Sequence, residues 1–269
     1  MDAPKVVMIT GVSSGFGRAM AVKLASQGHK VYGTVRREVE AIPGVTYVQA
    51  EVQDEASVAA AVATVIAAEG RIDVFVNNAG MGIGGPIEFT PLEDAERQMD
   101  INFMGMVRFL HYVVPQMRRQ GGGRILCFSS IGGLMGLPFQ GFYSASKFAI
   151  EGYCEALRLE LRGKNIDVIL IEPGDFATGF TASRKSTLEP EAYTAYPTYA
   201  ESLKSIEHDE QSGLKPEYLA EKVARIVACK RPAYHYIIST LEQRLSVTLK
   251  AILPQSWFAA ILASYYKLK

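Results

Sequence analysis

The chain has 269 residues, 48% of them hydrophobic, which is enough to bury the core of an α/β domain. Its 28 basic and 28 acidic residues balance, which excludes a general electrostatic attraction to nucleic acid or to an anionic membrane. The three cysteines lack metal-ligand spacing, so we expect no metal site, and we interpret Cys127 and Cys154 as buried thiols of a protein in the reducing cytosol.

Apolar runs alternate with helical patterns along the chain, which predicts a doubly wound, parallel sheet flanked by helices. Strands are expected near residues 5–10, 30–34, 45–49, 72–77, 123–129, 166–171 and 234–238. Helices are expected near residues 16–27, 55–68, 92–119, 143–162 and 217–229. We therefore predict a single α/β domain over residues 1–269, with its ligands at the carboxyl ends of seven parallel strands.

A glycine-rich turn, TGVSSGFG at residues 10–17, follows the first strand and precedes the first helix. Glycines let the backbone approach a pyrophosphate, and the N-terminus of a helix offers free N–H groups and the positive end of its dipole. The turn therefore predicts a dinucleotide site, with the spacing TGxxxGxG instead of GxGxxG.

The end of the second strand indicates which cofactor is bound. Val35 stands where an acidic residue would accept hydrogen bonds from the ribose hydroxyls, and Arg36 and Arg37 follow it. A guanidinium suits a 2′-phosphate through its charge and its paired donors, so NADP(H) is favoured over NAD(H). The alternative is that both arginines belong to a solvated loop.

Tyr143 and Lys147 are four residues apart and share one face of a predicted helix. A phenol is a poor proton donor or acceptor at neutral pH, and an adjacent ammonium lowers its pKa. Taken alone, this spacing also fits an exposed helical pair.

Six motifs in this order and spacing resemble the short-chain dehydrogenase/reductase family over residues 5 to about 178. The resemblance implies a Rossmann-type fold and an oxidoreductase acting on CH–OH groups. The motifs are the TGxxxGxG turn, the strand end Asn77-Asn78-Ala79-Gly80, Asn102 on a helix, Ser130 thirteen residues before the tyrosine, the pair Tyr143 and Lys147, and Pro173-Gly174 followed by Thr178.

The resemblance also implies the residue roles. Tyr143 would exchange a proton with the substrate oxygen, and Ser130 would hydrogen-bond that oxygen. Lys147 would lower the pKa of the phenol and bind the nicotinamide ribose, and Asn102 would complete a proton relay through water. The alternatives are that Ser130 is only a turn residue and that Asn102 only satisfies the hydrogen bonds of backbone groups. The implied cofactor contacts are Gly11, Ser13, Ser14, Gly15, Phe16, Gly17, Arg36, Glu51, Val52, Asn78, Ala79, Gly80, Tyr143, Lys147, Pro173, Gly174, Phe176 and Thr178.

Two segments, SIGGLMGLPF at residues 130–139 and KFAIEG at residues 147–152, are similar to the branch of 17β-hydroxysteroid dehydrogenase type 1 and photoreceptor retinol dehydrogenase. This implies a bulky apolar alcohol or ketone, with a hydroxysteroid first and a retinoid or fatty ketoacyl compound as alternatives. A non-catalytic NADP(H)-binding sensor or scaffold is the alternative of another class. The expected substrate-lining residues are Ile131, Met135, Leu137 and Phe139.

Two further segments are expected to shape the substrate site. Residues 179–215 form a predicted lid, in which Tyr193, Tyr196 and Tyr199 either contact a flat ligand or pack on one another, and in which His208 is a candidate substrate contact. The apolar segment 245–269 has three open interpretations: packing on the substrate cleft, an oligomer contact, or an interfacial membrane helix.

The expected location is cytoplasmic. The first strand begins close to Met1, so we expect no signal peptide. The sequence contains no run of about 18 apolar residues, so we expect no membrane span. Peripheral membrane contact through the C-terminal segment is the alternative. The resemblance implies a homodimer that pairs through the helices near 92–119 and 143–162.

Overall fold

The computed structural model describes residues 3–186 and 189–268; Met1, Asp2, two residues of the predicted lid (187–188) and Lys269 lie outside the described residues. Seven strands form one parallel sheet, and two short strands, β5 and β8, pair separately. The strands are β1 (Val6–Ile9), β2 (Lys30–Val35), β3 (Val45–Gln49), β4 (Val74–Asn77), β5 (Ile83–Gly84), β6 (Gly123–Phe128), β7 (Ile166–Pro173), β8 (Lys185–Ser186) and β9 (His235–Ile238).

The order of the large sheet, β3-β2-β1-β4-β6-β7-β9, reverses direction between β1 and β4. At such a switch point the connections leave on opposite faces, which opens a crevice at the carboxyl ends of the two strands. The glycine-rich turn follows β1 and the Asn78–Gly80 segment follows β4, so both motifs border this crevice. The predicted seven-stranded, doubly wound sheet is confirmed.

Strand side chains alternate between two helical layers. Val6 and Met8 pack with the helices of one face, while Val7 and Ile9 pack with those of the other. Helices α2 (Glu55–Glu69), α4 (Gly105–Arg119) and α5 (Gly141–Glu160) cover the first face, and α1 (Gly15–Ser26) and α9 (Pro216–Ala228) cover the second.

The helix predicted over residues 92–119 is interrupted. Helix α3 (Leu92–Met99) is followed by a π-helical turn at Asp100–Met104 and only then by α4. Asn102 lies in this wide turn, where its side chain hydrogen-bonds the backbone of Met81. A single inserted turn of this kind often marks a functional position, and its backbone geometry cannot be read from hydrophobic periodicity.

The predicted lid and the C-terminal segment are both helical and border the crevice. The lid contains α6 (Phe180–Ser183), α7 (Pro190–Ala195) and α8 (Tyr199–Ser212). The C-terminal segment forms α10 (Leu241–Ile252) and α11 (Gln255–Tyr265), separated at Pro254 as its ring requires. Within the described ranges, no helix has the combined length and apolar character needed to traverse a bilayer.

Candidate active site

A cavity of about 910 Å³ runs along the carboxyl ends of the strands. We call its two parts the cofactor end, built from the turns after β1, β2 and β4, and the substrate end, built from α6, α8, α10 and α11. The predicted residues that line it are Gly11, Ser13, Ser14, Gly15, Phe16, Arg36, Glu51, Val52, Asn78, Ala79, Gly80, Ser130, Ile131, Met135, Leu137, Tyr143, Lys147, Pro173, Gly174, Phe176 and Thr178.

The glycine-rich turn fits a dinucleotide phosphate. Gly11 and Gly15 have φ values of 72° and 54°, in the left-handed region that favours glycine. Ser14 caps α1 without a side-chain hydrogen bond, so the first N–H groups of the helix are available to an anion. The predicted residue Gly17 does not line the cavity; a Cβ there would lie 2.1 Å from the Gly11 carbonyl oxygen, so its contribution is close packing beneath the turn.

The nucleoside side of the cofactor end is bounded by β2 and by the residues after β3. The Thr34 hydroxyl accepts a hydrogen bond from the Gly11 N–H (3.1 Å), which ties the turn to β2. Arg36 is exposed at the end of that strand, and Glu51 and Val52 lie across from it on the cavity wall. Asn78 closes the floor, donating to the carbonyl oxygens of Thr10 (2.9 Å) and Gly11 (3.1 Å).

Tyr143, the predicted proton donor, lies on α5 and lines the cavity. Burial raises the pKa of its phenol to about 12, while a hydrogen bond with the Ser130 hydroxyl acts in the opposite direction. Ser130 is itself held by the Gly132 N–H, which donates to its Oγ (3.1 Å). Tyr143 is therefore a neutral phenol at physiological pH, and it can donate a proton.

Lys147 lies one turn further along α5, with its Nζ 5.7 Å from the centre of the Tyr143 ring. Its ammonium donates to the Phe128 carbonyl oxygen (2.8 Å). Burial lowers the pKa of Lys147 to about 8, an effect that the charge of Glu151 opposes. The expected lowering of the phenol pKa is not found in this structure, because desolvation of Tyr143 outweighs its electrostatic partners.

Asn102 does not line the cavity. Its Oδ1 accepts from the Met81 N–H (2.8 Å), and its Nδ2 donates to the Met81 carbonyl oxygen and to the Ser146 hydroxyl (3.0 Å each). These contacts are those of the backbone-satisfying alternative, and they hold the turn after β4 against the π-helical turn.

The substrate end differs from the expectation at several positions. Phe139 does not line the cavity; its ring packs on Tyr199 (5.0 Å between centroids) and Tyr196 (6.1 Å). Tyr193 also packs on Tyr199, so the lid tyrosines form a cluster with one another. His208 is exposed on α8 and lies outside the cavity lining.

Sequence reasoning missed several polar residues of the substrate end, among them Asp175, Asp209, Glu210 and Gln243. Asp175 could have been noticed, because it lies inside the Pro173–Thr178 motif. The other three come from helices whose placement over the site depends on tertiary packing. The missed apolar lining is Phe180, Leu245, Leu249, Phe258, Ile261 and Leu262.

A second cluster of ionisable groups lies outside the cavity. Glu151, Glu172 and His235 each place one ligand atom within 4.8 Å of the others. Burial raises the pKa of Glu151 to about 7 and that of Glu172 to about 8. The Nδ1 atom of His235 lies 2.7 Å from Glu172 Oε1, while Glu151 Oε1 and Glu172 Oε2 are buried without a hydrogen-bond partner among the described residues.

A family model described as short chain dehydrogenase matches residues 5–189 of this chain. The chain belongs to the short-chain dehydrogenase family. It is therefore an oxidoreductase of this family that acts on CH–OH groups, with a small-molecule substrate and a nucleotide cofactor.

Relatives of this chain differ in the substrates their names specify. A 3-ketodihydrosphingosine reductase from Bacteroides thetaiotaomicron is 44% identical over 267 residues, covering 99% of each chain. Human 17β-hydroxysteroid dehydrogenase type 1 is 38% identical over 255 residues, covering 87% of this chain and 77% of that one. A short-chain dehydrogenase from Burkholderia phymatum, solved in complex with NAD, superposes with a TM-score of 0.80 at 26% identity, covering 91% and 92% of the two chains.

Proposed function

We propose that this enzyme reduces the ketone of a long-chain amino alcohol of the 3-ketodihydrosphingosine type, with NADPH as the reductant. The observation that carries the proposal is the 44% identity to a reductase of that name over 99% of both chains. That match extends through the lid and through α10 and α11, which form the substrate end. Similarity restricted to the cofactor end would carry no information about the substrate.

The lining of the substrate end supports an alkyl chain. Leu245 and Leu249 lie one turn apart on α10, and Phe258, Ile261 and Leu262 follow on α11. This apolar strip lines the same cavity as Tyr143, so a chain attached to the reacting carbonyl could lie along it. Each buried methylene contributes roughly 0.8 kcal/mol to binding, and a long saturated chain gains most from such a strip.

When bound, NADPH supplies the hydride that is added to the carbonyl carbon. Tyr143 donates its phenolic proton to the carbonyl oxygen, so ketone, NADPH and one proton yield the secondary alcohol and NADP⁺. The Ser130 hydroxyl hydrogen-bonds the same oxygen and orients it toward the phenol. Lys147 keeps positive charge beside Tyr143 and offers its ammonium to the ribose, and Asn102 holds the neighbouring backbone in place.

The proposed preference for NADPH rests on Arg36. Its guanidinium is exposed at the end of β2, where the buried Val35 offers the ribose no carboxylate. A 2′-phosphate would gain a charged partner there, whereas the diol of NADH would lose the acceptor found in NAD-dependent dinucleotide sites.

A 17β-hydroxysteroid is the second candidate substrate. The 38% identity to the human steroid dehydrogenase favours it, and Ile131, Met135 and Leu137 line the cavity as that resemblance implied. The two candidate substrates make different demands on the substrate end. A rigid ring system needs a wide cavity, and an alkyl chain needs a long one.

The proposed function is tested by comparing kcat/KM for 3-ketodihydrosphingosine, a 17-ketosteroid and retinal, each with NADPH and with NADH. We expect the sphingoid ketone with NADPH to be the best pair by at least about tenfold, corresponding to ~1.4 kcal/mol of transition-state binding. Efficient reduction of the steroid alone would replace the first candidate by the second.

We also propose that this cytoplasmic enzyme meets its lipid substrate at a membrane surface through α10 and α11. Ile252 and Trp257 are exposed at 70% and 66%, and Ile261, which lines the cavity, is itself 49% exposed. Trp257 is the only tryptophan in the chain, so its fluorescence reports on this face alone. We expect a blue shift on adding phosphatidylcholine vesicles, which Ile252→Glu should weaken; an unchanged spectrum would contradict the proposal.

Homodimerisation through α4 and α5 is a further proposal. Phe148 and Leu159 on α5 are exposed at 45% and 69%, and pairing of two such faces would bury them. Sedimentation equilibrium should give twice the monomer mass for the full chain and a monomer for Phe148→Glu.

A further inference from the structure

The wall of the substrate end carries more negative than positive charge. Asp175 follows the Pro173-Gly174 turn, Asp209 and Glu210 lie in the last turn of α8, and all three line the cavity. The basic side chain beside them, Arg184, pairs with Glu210. Two negative charges of this group therefore remain uncompensated when all four side chains are ionised.

The excess of negative charge acts on the carboxyl group of Asp175. Burial raises the pKa of its carboxyl to about 6, and the charges of Glu210 and Asp209 act in the same direction, whereas a hydrogen bond from Gln243 and the charge of Arg184 oppose them. At neutral pH Asp175 is thus a carboxylate held among other carboxylates. A cation placed beside it would relieve the repulsion.

The hydrogen bonds fix both aspartates and leave each with acceptor capacity. Gln243 Nε2 donates to Asp175 Oδ2 (2.5 Å), and the Tyr265 hydroxyl donates to Asp209 Oδ2 (2.7 Å). Among the described residues, no donor is recorded for Oδ1 of either side chain. The two carboxylates are therefore held in orientation by neutral donors, and each can accept further hydrogen bonds.

Arg184 pairs with Glu210 but does not itself line the cavity, so it offsets part of the negative charge without facing the ligand. The wall therefore offers carboxylate acceptors, which suit an ammonium.

This wall lies close to the reacting group. The charges of Glu210 and Asp175 raise the pKa of Tyr143, and the charge of Arg184 lowers it. The Phe180 ring, which also lines the cavity, is 5.7 Å from the Tyr143 ring and 6.0 Å from the Arg184 guanidinium. Tyr143 and the three carboxylates thus line one cavity.

We infer that Asp175, supported by Asp209 and Glu210, binds an ammonium group on the carbon next to the reacting carbonyl. The inference rests on the proposed function, because the substrate proposed there carries an amino group at that carbon. A 17-ketosteroid has no cation at this position, so its binding would bury the Asp175 carboxylate without a compensating positive charge from the ligand.

The test measures kcat/KM with NADPH for 3-ketodihydrosphingosine and for 1-hydroxyoctadecan-3-one, which lacks only the amino group. A charge-assisted hydrogen bond implies a wild-type preference for the amino ketone of about tenfold or more. Asp175→Asn should abolish that preference by reducing turnover of the amino ketone. Glu191→Gln, an exposed carboxylate on α7, is the matched control and should keep the wild-type ratio.

The outcomes separate this inference from the proposed function. Equal wild-type rates on the two ketones would overturn the ammonium site while leaving the long-chain reductase in place, and turnover of neither would overturn the proposed function. An equal loss on both ketones in Asp175→Asn would show that Asp175 acts through the cofactor or the fold. Competitive inhibition of the wild type, which needs no variant, should be at least about tenfold stronger for octadecylamine than for octadecanol.

Discussion

The two ends of the cavity are built by different means. At the cofactor end, strand termini and the turns after them supply most of the contacts, and those turns are fixed by the parallel sheet. At the substrate end, α6, α8, α10 and α11 supply the wall, and their positions depend on side chains from distant parts of the chain. Differences in substrate between enzymes of this architecture are therefore expected to arise at the second end.

The polarity of the two ends differs as well. The cofactor end offers backbone N–H groups and the exposed Arg36, which suit phosphates. The substrate end combines an apolar strip with the carboxylates of Asp175, Asp209 and Glu210. Under the proposed function, one cavity would bind an anionic cofactor at one end and an amphipathic cation at the other, with Tyr143 acting on the ketone.

Tyr143→Phe should have the largest effect, because it removes the proton donor shared by the two ends. A positioned general acid contributes roughly 10²–10⁴-fold, so ketone reduction should fall by about 10³. NADPH affinity, followed by cofactor fluorescence, should change by less than about threefold, since the phenyl ring keeps its packing. Turnover within tenfold of wild type would remove Tyr143 from the mechanism.

Gly17→Ala should damage the cofactor end selectively. The added Cβ would lie 2.1 Å from the Gly11 carbonyl oxygen, and overpacking of this kind costs about 1–3 kcal/mol. We expect the Kd for NADPH to rise by about 10- to 100-fold, or the midpoint of thermal unfolding to fall by several degrees. Gly136→Ala is the control, because its Cβ would meet no atom within 4 Å; similar losses in both variants would contradict the packing argument.

Arg36→Ala should change the choice of cofactor without changing the choice of ketone. Loss of one exposed charge–phosphate contact should raise KM for NADPH by about tenfold and leave KM for NADH within twofold. The ratio of the two kcat/KM values, measured with one ketone, gives the result directly. A ratio equal to that of the wild type would show that Arg36 is only a solvated loop residue.

The pH dependence of ketone reduction should follow the protonation state of Lys147. The structure lowers its pKa to about 8, so its ammonium is present below that value and is lost as the pH rises through it. Tyr143, with a pKa raised to about 12, keeps its proton over the same range. Reductive kcat/KM should therefore fall by about tenfold per pH unit above the apparent pKa. A flat profile from pH 7 to 10 would contradict this role for Lys147.

Ile261→Ala should have the smallest effect and should depend on substrate length. The substitution removes methylenes from the apolar strip, at roughly 0.8 kcal/mol each when buried, but Ile261 is half exposed. KM for the C18 amino ketone should rise by about threefold, and KM for a C8 analogue should not change. Equal changes for both lengths would place the chain elsewhere.

The cofactor end could be predicted from the sequence because its signals are local. TGxxxGxG at residues 10–17, Asn78–Gly80 and the Tyr143–Lys147 spacing each encode a turn or a helix face, and parallel strands bring their carboxyl ends together. The two exceptions are packing effects. Gly17 lies beneath the turn. Asn102 hydrogen-bonds the Met81 backbone because it lies in a π-helical turn, which hydrophobic periodicity does not reveal.

The substrate end could not be predicted to the same depth. Residues 179–215 and 245–269 were expected near the substrate, but which of their side chains face it depends on contacts between helices far apart in sequence. Phe139 was expected at the site and instead packs on the lid tyrosines, with a backbone φ of 58°. Asp209 and Glu210 carry no motif, and they reach the cavity only because α8 packs over it.

The central claim is that the cavity directs hydride to the ketone of an amino alcohol. We would incubate the enzyme with NADPH carrying deuterium at both C4 positions and with equal concentrations of 3-ketodihydrosphingosine and a 17-ketosteroid, and analyse both alcohols by mass spectrometry. The account predicts one deuterium at C3 of the sphingoid alcohol and almost none in the steroid alcohol. Deuterium chiefly in the steroid alcohol, or in neither product, would contradict it.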